Sequence, residues 1–161
     1  MIIVSNTSPI TNLAAIKQLE LLQKLYNRIV IPQAVYEELT NRGVQVPGAT
    51  EVQIFPWIET QQVINQPLVQ ALRQKLDPGE AEAIALSIEC NAEWLVIDER
   101  RGRKVASSMG LKYIGILGVI LEAKNKGLVP KVKPLMDDLI AIAGFRISDP
   151  LYANILKAAG E

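Results

Sequence analysis

Carboxylates gather at a few points of this sequence: Glu37 and Glu38, Glu80 and Glu82, Asp98 and Glu99. An amide, Asn6, stands where the first apolar run breaks into Ser5-Asn6-Thr7-Ser8-Pro9. There is no histidine among the 161 residues, and there is one cysteine. Histidine bases, Ser-His triads, histidine metal ligands and CxxC redox or zinc sites are therefore excluded. What remains for chemistry is oxygen. An all-oxygen donor set suits a hard cation, Mg²⁺ or Mn²⁺. Directly after the last acids comes a basic run, Arg100, Arg101, Arg103 and Lys104. These cations open a helix, where the macrodipole disfavours them by ~0.3–1 kcal/mol each unless an anion is near. Acids that hold a metal beside bases that hold phosphates are what phosphodiester hydrolysis requires. The plain alternative is a solvated charge run that bridges to its own acids.

The elements that must position these residues follow from the pattern. Ile2–Val4 and Arg28–Ile31 read as strands. Ser8 is expected to cap the first helix, with Pro9 in its first position. A short helix carries Leu19, Leu22 and Tyr26 on one face. Pro32 opens a helix that runs to about Arg42 and stops at Gly43. Residues 44–56 read as a loop, 57–63 as a short edge strand and 67–76 as a helix. Asp77-Pro-Gly-Glu80 has the form of a capping box, opening a helix to about Cys90. Trp94–Ile97 is an unbroken apolar run, as in a parallel strand covered on both faces. Helices are expected at 101–109, 116–126, 134–143 and 150–158, with one more strand at 112–114. Strands thus alternate with helices: an α/β fold, a parallel sheet of four or five strands sandwiched by helices, in one domain spanning 1–161.

In such a sheet the strand carboxyl ends share one rim. Asn6 and Asp98-Glu99 both fall there. Glu38 shares a helix face with Val35 and Leu39, where a carboxylate needs a cation, a metal or Arg42 at i+4. Side chains alternate along a strand, so only one of Asp98 and Glu99 is expected in a given pocket, and Asp98 is preferred. Glu38 and Asp98 are expected close enough for one metal to bridge them. Glu80 has a capping role, which leaves Glu82 freer to serve a site. Asp98 also has a bland reading, as the cap of the next helix. Cys90 reads as a buried structural thiol.

Composition bounds the rest. Hydrophobic residues make up 49%, with a mean hydropathy of +0.18 and formal net charge of +0. That composition can fold, and it has no large basic field, so nucleic acid must be met by a local patch. No apolar run is long enough to span a membrane, and the N-terminus reads as a strand, so a cytoplasmic protein is expected.

Four stretches, IIVSNTSPIT, VIPQAVYEEL, DPGEAEAIALSIE and WLVIDERRGRKVASSMG, resemble the PIN domain family, in particular its small VapC-like prokaryotic branch. The likeness extends to GFRISDPLY near the end. It implies a sandwiched α/β fold and a Mg²⁺- or Mn²⁺-dependent ribonuclease. It also implies RNA as substrate, a small cognate antitoxin as partner, and a homodimer. Carried over residue by residue, the first acid falls on Asn6, the helical glutamate on Glu38, the third acid on Glu82 or Glu80, and the fourth on Asp98 or Glu99. The hydroxyl beside the first acid falls on Thr7 or Ser8, and Arg100, Arg103 or Lys104 would hold the RNA backbone. Where the family has VSDTSP, this chain has VSNTSP. An amide oxygen can ligate Mg²⁺ but adds no charge, so the resemblance implies either an impaired nuclease or a degenerate module that binds RNA or an antitoxin. Receiver domains, which need an acidic pair after the first strand, and haloacid-dehalogenase-type phosphatases, which need an Asp there and a second two residues on, fit less well, because this chain has Asn6 and Ser8 in those places.

Overall fold

The computed structural model describes the whole chain, Met1–Glu161. In chain order the elements are β1 (Ile3–Ser5), α1 (Thr7–Ala15), α2 (Glu20–Tyr26), β2 (Ile29–Pro32), α3 (Gln33–Thr40), α4 (Glu51–Ile54), β3 (Ile58–Gln61) and α5 (Gln66–Leu72). Then follow α6 (Pro78–Glu89), β4 (Trp94–Val96), α7 (Arg100–Ser108), β5 (Tyr113–Ile114), α8 (Ile116–Asn125), α9 (Lys133–Ala141) and α10 (Asp149–Ala158). The five strands form one parallel sheet in the order β3-β2-β1-β4-β5.

Alternation along the strands builds a core on each face. Ile3, Ile29, Ile31 and Val96 join the larger core with residues of α1, α2, α8 and α9. Their neighbours Val4, Val30, Leu95 and Ile97 join the other core with Ala81, Ile84 and Ala85 of α6 and Ala106 of α7. Because both faces are covered, strands this short read as plain apolar runs. No helix is long and apolar enough to cross a membrane.

Strand order decides where a site can lie. From β1 the chain steps outward to β2 and β3, then returns to the other side of β1 for β4 and β5. The crossovers diverge between β1 and β4, and they leave a crevice outside those carboxyl ends. Asn6 and Asp98-Glu99 leave the sheet there, and the Asn6 N–H donates to Val96 O at 3.0 Å.

Several elements differ from expectation. Asn6, not Ser8, occupies the cap position of α1, although its side chain makes no capping bond. Pro9 is the third helical residue, where a missing N–H is still harmless. The stretch 44–56 contains the one-turn helix α4. The helix expected at 67–76 starts at Gln66, where Asn65 accepts from the Leu68 N–H, and ends at Leu72. The capping box forms as read: Asp77 accepts the Glu80 N–H at 2.8 Å, and Glu80 accepts the Asp77 N–H at 3.2 Å. Cys90 is half-buried rather than buried.

Candidate active site

A cleft at this crevice is lined mainly by polar side chains, among them Asn6, Thr7, Ser8, Glu38, Asp77 and Glu99. Asn6 is only 4% exposed. Across the chain, four buried side-chain oxygens have no hydrogen-bond partner: Asn6 Oδ1, Ser8 Oγ, Glu38 Oε2 and Asp98 Oδ2. A buried acceptor left unmatched costs about 1–3 kcal/mol. Three of the four belong to residues that line the cleft.

Glu38 is held as its helix face suggested. The Thr7 hydroxyl donates to Oε1 at 2.9 Å. Burial pushes its carboxyl above the usual range, and the Thr7 bond works against that. The backbone of α6 closes over the carboxylate at Gly79, where a Cβ would overlap both oxygens. Arg42 makes no ion pair with it. Its Nε donates instead to the Glu38 carbonyl at 2.8 Å, and its guanidinium lines the cleft. Glu37 points away and is exposed, accepting from Gln33 Nε2.

Neither Glu80 nor Glu82 lines the cleft, and the two have different partners. Glu82 Oε1 accepts the Ala34 N–H at 3.0 Å and so caps the first turn of α3 from outside it. That bond takes it out of the cleft. Glu80 is buried, and its carboxyl is pushed up to about 7, by burial first and by the negative charge of Asp77 and Glu99 next. Gly102 of α7 leaves room for it, since a Cβ there would lie 3.0 Å from Glu80 Oε2. One oxygen for the capping bond leaves the second for other partners, so a cap and a site role are compatible.

Asp98 and Glu99 face different surroundings. Glu99 lines the cleft, whereas Asp98 borders a separate recess with Arg103, Tyr113 and Arg146. Asp98 Oδ1 accepts the Ile116 N–H at 3.0 Å and pairs with Arg103 Nη2 at 3.5 Å. Burial raises its carboxyl, against the pull of both partners. The alternation rule did not apply, because β4 ends at Val96 and Glu99 already stands at the cap position of α7. Asp98 does cap a helix, but that helix is α8. Glu38 thus lines the cleft and Asp98 the recess, each with one unmatched oxygen.

The basic run divides too. Arg103 is pinned, with Nε donating to Ile97 O at 2.9 Å and its guanidinium over the Tyr113 ring. Arg100 is exposed. Lys104 and Arg101 line a shallow groove with Lys75 and Gln74. Asp77 and Arg42 were missed as site residues. The Pro-Gly that follows Asp77 was the available signal, because a glycine in a first helical turn marks a close approach.

A hard divalent cation fits part of this arrangement. Asn6 Oδ1 and Glu38 Oε2 are unmatched oxygens of one cleft, and the carboxylates of Asp77 and Glu99 line it as well. A Mg²⁺-type ion keeps several waters and needs only one or two carboxylates. The fit does not extend to a closed cage, since no three acidic side chains converge closely enough to hold an ion.

A family model described as a PIN domain (DUF3368) matches residues 2–161. Among solved structures, the fold is similar to that of a PilT N-terminus domain protein from the hyperthermophilic archaeon Sulfolobus solfataricus P2. The TM-score is 0.58 at 20% sequence identity, over 76% of this chain and 93% of that one. No curated protein matches the chain.

Proposed function

This chain belongs to the PIN domain family, and from that premise we propose that it is a divalent-metal-dependent endoribonuclease of the VapC toxin type, slowed by Asn6. PIN domains are generally metal-dependent nucleases, and Mg²⁺ or Mn²⁺ is the ion proposed here. The observation that carries the reading is the set of unmatched buried oxygens at the topological switch point, Asn6 Oδ1 and Glu38 Oε2 foremost. When bound, the cation would shield the scissile phosphate and lower the pKa of a bound water.

The chain's own residues supply placement. Thr7 fixes the Glu38 carboxylate, and the close approach of α6 at Gly79 covers one side of it. Arg42 puts a positive charge at the cleft, where the RNA backbone would enter. Arg100 and the Lys104 groove extend that charge outward. A small cognate antitoxin, a second copy of the chain and a cytoplasmic setting belong to the same proposal. A second reading, a module that binds RNA without cutting it, is favoured by one observation: a neutral amide stands in place of the first acid.

Incubation of a mixed single-stranded RNA pool with Mn²⁺ tests the two. Slow cleavage is expected, abolished by EDTA and lowered on the order of 10²-fold in Glu38→Gln. Cleavage indifferent to metal or to Glu38 would overturn the nuclease reading. Binding without cleavage would move the protein to the second.

The basic run makes its own prediction. Arg100→Glu together with Lys104→Glu should weaken single-strand binding. It should also flatten the dependence of log affinity on log salt by about 0.7 for each phosphate that is no longer neutralised. An unchanged slope would reduce these residues to solvated surface. Arg103 is left out, because its guanidinium is already engaged.

A further inference from the structure

We infer that Asp98 is a positioning residue. With Arg103 and Gly115 it clamps the exit of β4, so that the next residue, Glu99, is presented to the cleft. The inference rests on the metal-binding reading above and refines which acids serve it.

The geometry closes around a single point of chain. Ile97 donates its N–H to Ile114 O at 3.0 Å, and its carbonyl accepts Arg103 Nε at 2.9 Å. Asp98 Oδ1 takes the Ile116 N–H at 3.0 Å and faces Arg103 Nη2 at 3.5 Å. The Glu99 carbonyl accepts the main-chain N–H of Arg103 at 2.9 Å. Three successive residues, 97 to 99, are thus tied to α7, β5 and α8, and Arg103 of α7 meets each of the three. Its guanidinium is steadied by the Tyr113 ring, 5.2 Å from the centroid.

Glycine makes the clamp possible. A Cβ on Gly115 would lie 2.6 Å from Asp98 Oδ1 and would overlap the Arg103 guanidinium. Gly102 gives the same relief to Ile97, whose Cδ1 would lie 2.6 Å from a Cβ there. The Arg103 guanidinium beside Asp98 Oδ1 would repel a second cation at that oxygen. Asp98 Oδ1 is therefore committed to Arg103 and to the first turn of α8, while Oδ2 has no partner. Glu99, exposed at the cleft, is the acid that the clamp presents there.

Mn²⁺ titration of five proteins, each checked for folding by its thermal midpoint, tests this: the unaltered chain, Asp98→Asn, Asp98→Ala, Glu99→Gln and Gly115→Ala. Asparagine keeps an oxygen for the Ile116 N–H, so Asp98→Asn should hold Mn²⁺ affinity within about threefold of the unaltered chain. Asp98→Ala and Gly115→Ala should each lower it about tenfold, and Glu99→Gln by about tenfold or more. A loss in Asp98→Asn as large as that in Glu99→Gln would make Asp98 a ligand and overturn the inference. So would an unchanged affinity in Asp98→Ala. Amide exchange at Ile116 reads the clamp without metal: it should quicken in Asp98→Ala and stay slow in Asp98→Asn. Unchanged exchange in Asp98→Ala would overturn the clamp. If the unaltered chain binds no Mn²⁺ while exchange behaves as stated, the metal reading fails and the clamp stands.

Discussion

Asn6→Asp is expected to raise Mn²⁺ affinity about tenfold or more and to speed RNA cleavage in parallel. The substitution is nearly isosteric, so β1 and the start of α1 should accept it. The added charge would attract a dication held at the cleft; for charges about 4 Å apart the size of that attraction can be bounded. Even with the dielectric of water, that attraction amounts to ~2 kcal/mol, and it grows as water is excluded. Part of it is offset by repulsion from the other acids of the cleft. The apo Asp form should therefore be slightly less stable than the Asn form, and its thermal midpoint should rise more when Mn²⁺ is added. Calorimetric titration and paired melts with and without Mn²⁺ measure both effects. Equal metal-induced shifts and equal cleavage in the two proteins would place residue 6 outside the site, despite its buried oxygen.

A second large effect concerns pH. Glu38, Glu80 and Asp98 all have carboxyls raised above their ordinary range, chiefly by burial, and Glu80 reaches about 7. A carboxyl with a raised folded pKa binds its proton more tightly in the folded protein than in the unfolded one. Its contribution to stability is complete below the unfolded value near 4.5 and is lost as pH rises through the folded value. Without divalent metal, the protein should therefore melt at a higher temperature at pH 5 than at pH 8. Asp137 and Glu161 shift the other way, and their contribution is already complete above pH 4.5. They do not cancel the trend.

Glu80→Gln keeps an acceptor for the Asp77 N–H and removes the charge beside Asp77 and Glu99. At pH 8 it should raise the midpoint by about 2–4 °C, the shift that ~1 kcal/mol makes in a domain of this size, after allowance for partial solvent screening. At pH 5 the two proteins should nearly coincide. Melts from pH 5 to 8 at fixed ionic strength decide it. A midpoint that climbs with pH, or an equal slope in both proteins, would mean that Glu80 is ionised throughout.

The sequence by itself determined the alternation of strands and helices, the parallel sheet and the rim where Asn6 and the 98–99 pair emerge. These are local matters: apolar runs too short for helices, a capping box, and glycine stops such as Gly110 and Gly127, both at positive φ. It also singled out Glu38, since a carboxylate between Val35 and Leu39 must face inward. The structure alone shows how the acids of each pair differ in their partners. Glu80 and Glu82 flank one helical stripe, and nothing along the chain says that the α3 N-terminus lies within reach of Glu82. Asp98 and Glu99 are adjacent, and only the arrival of Ile116 and Arg103, 18 and 5 residues on, claims one of them. Hydrogen bonds between distant segments depend on how helices pack, and no local pattern carries that information.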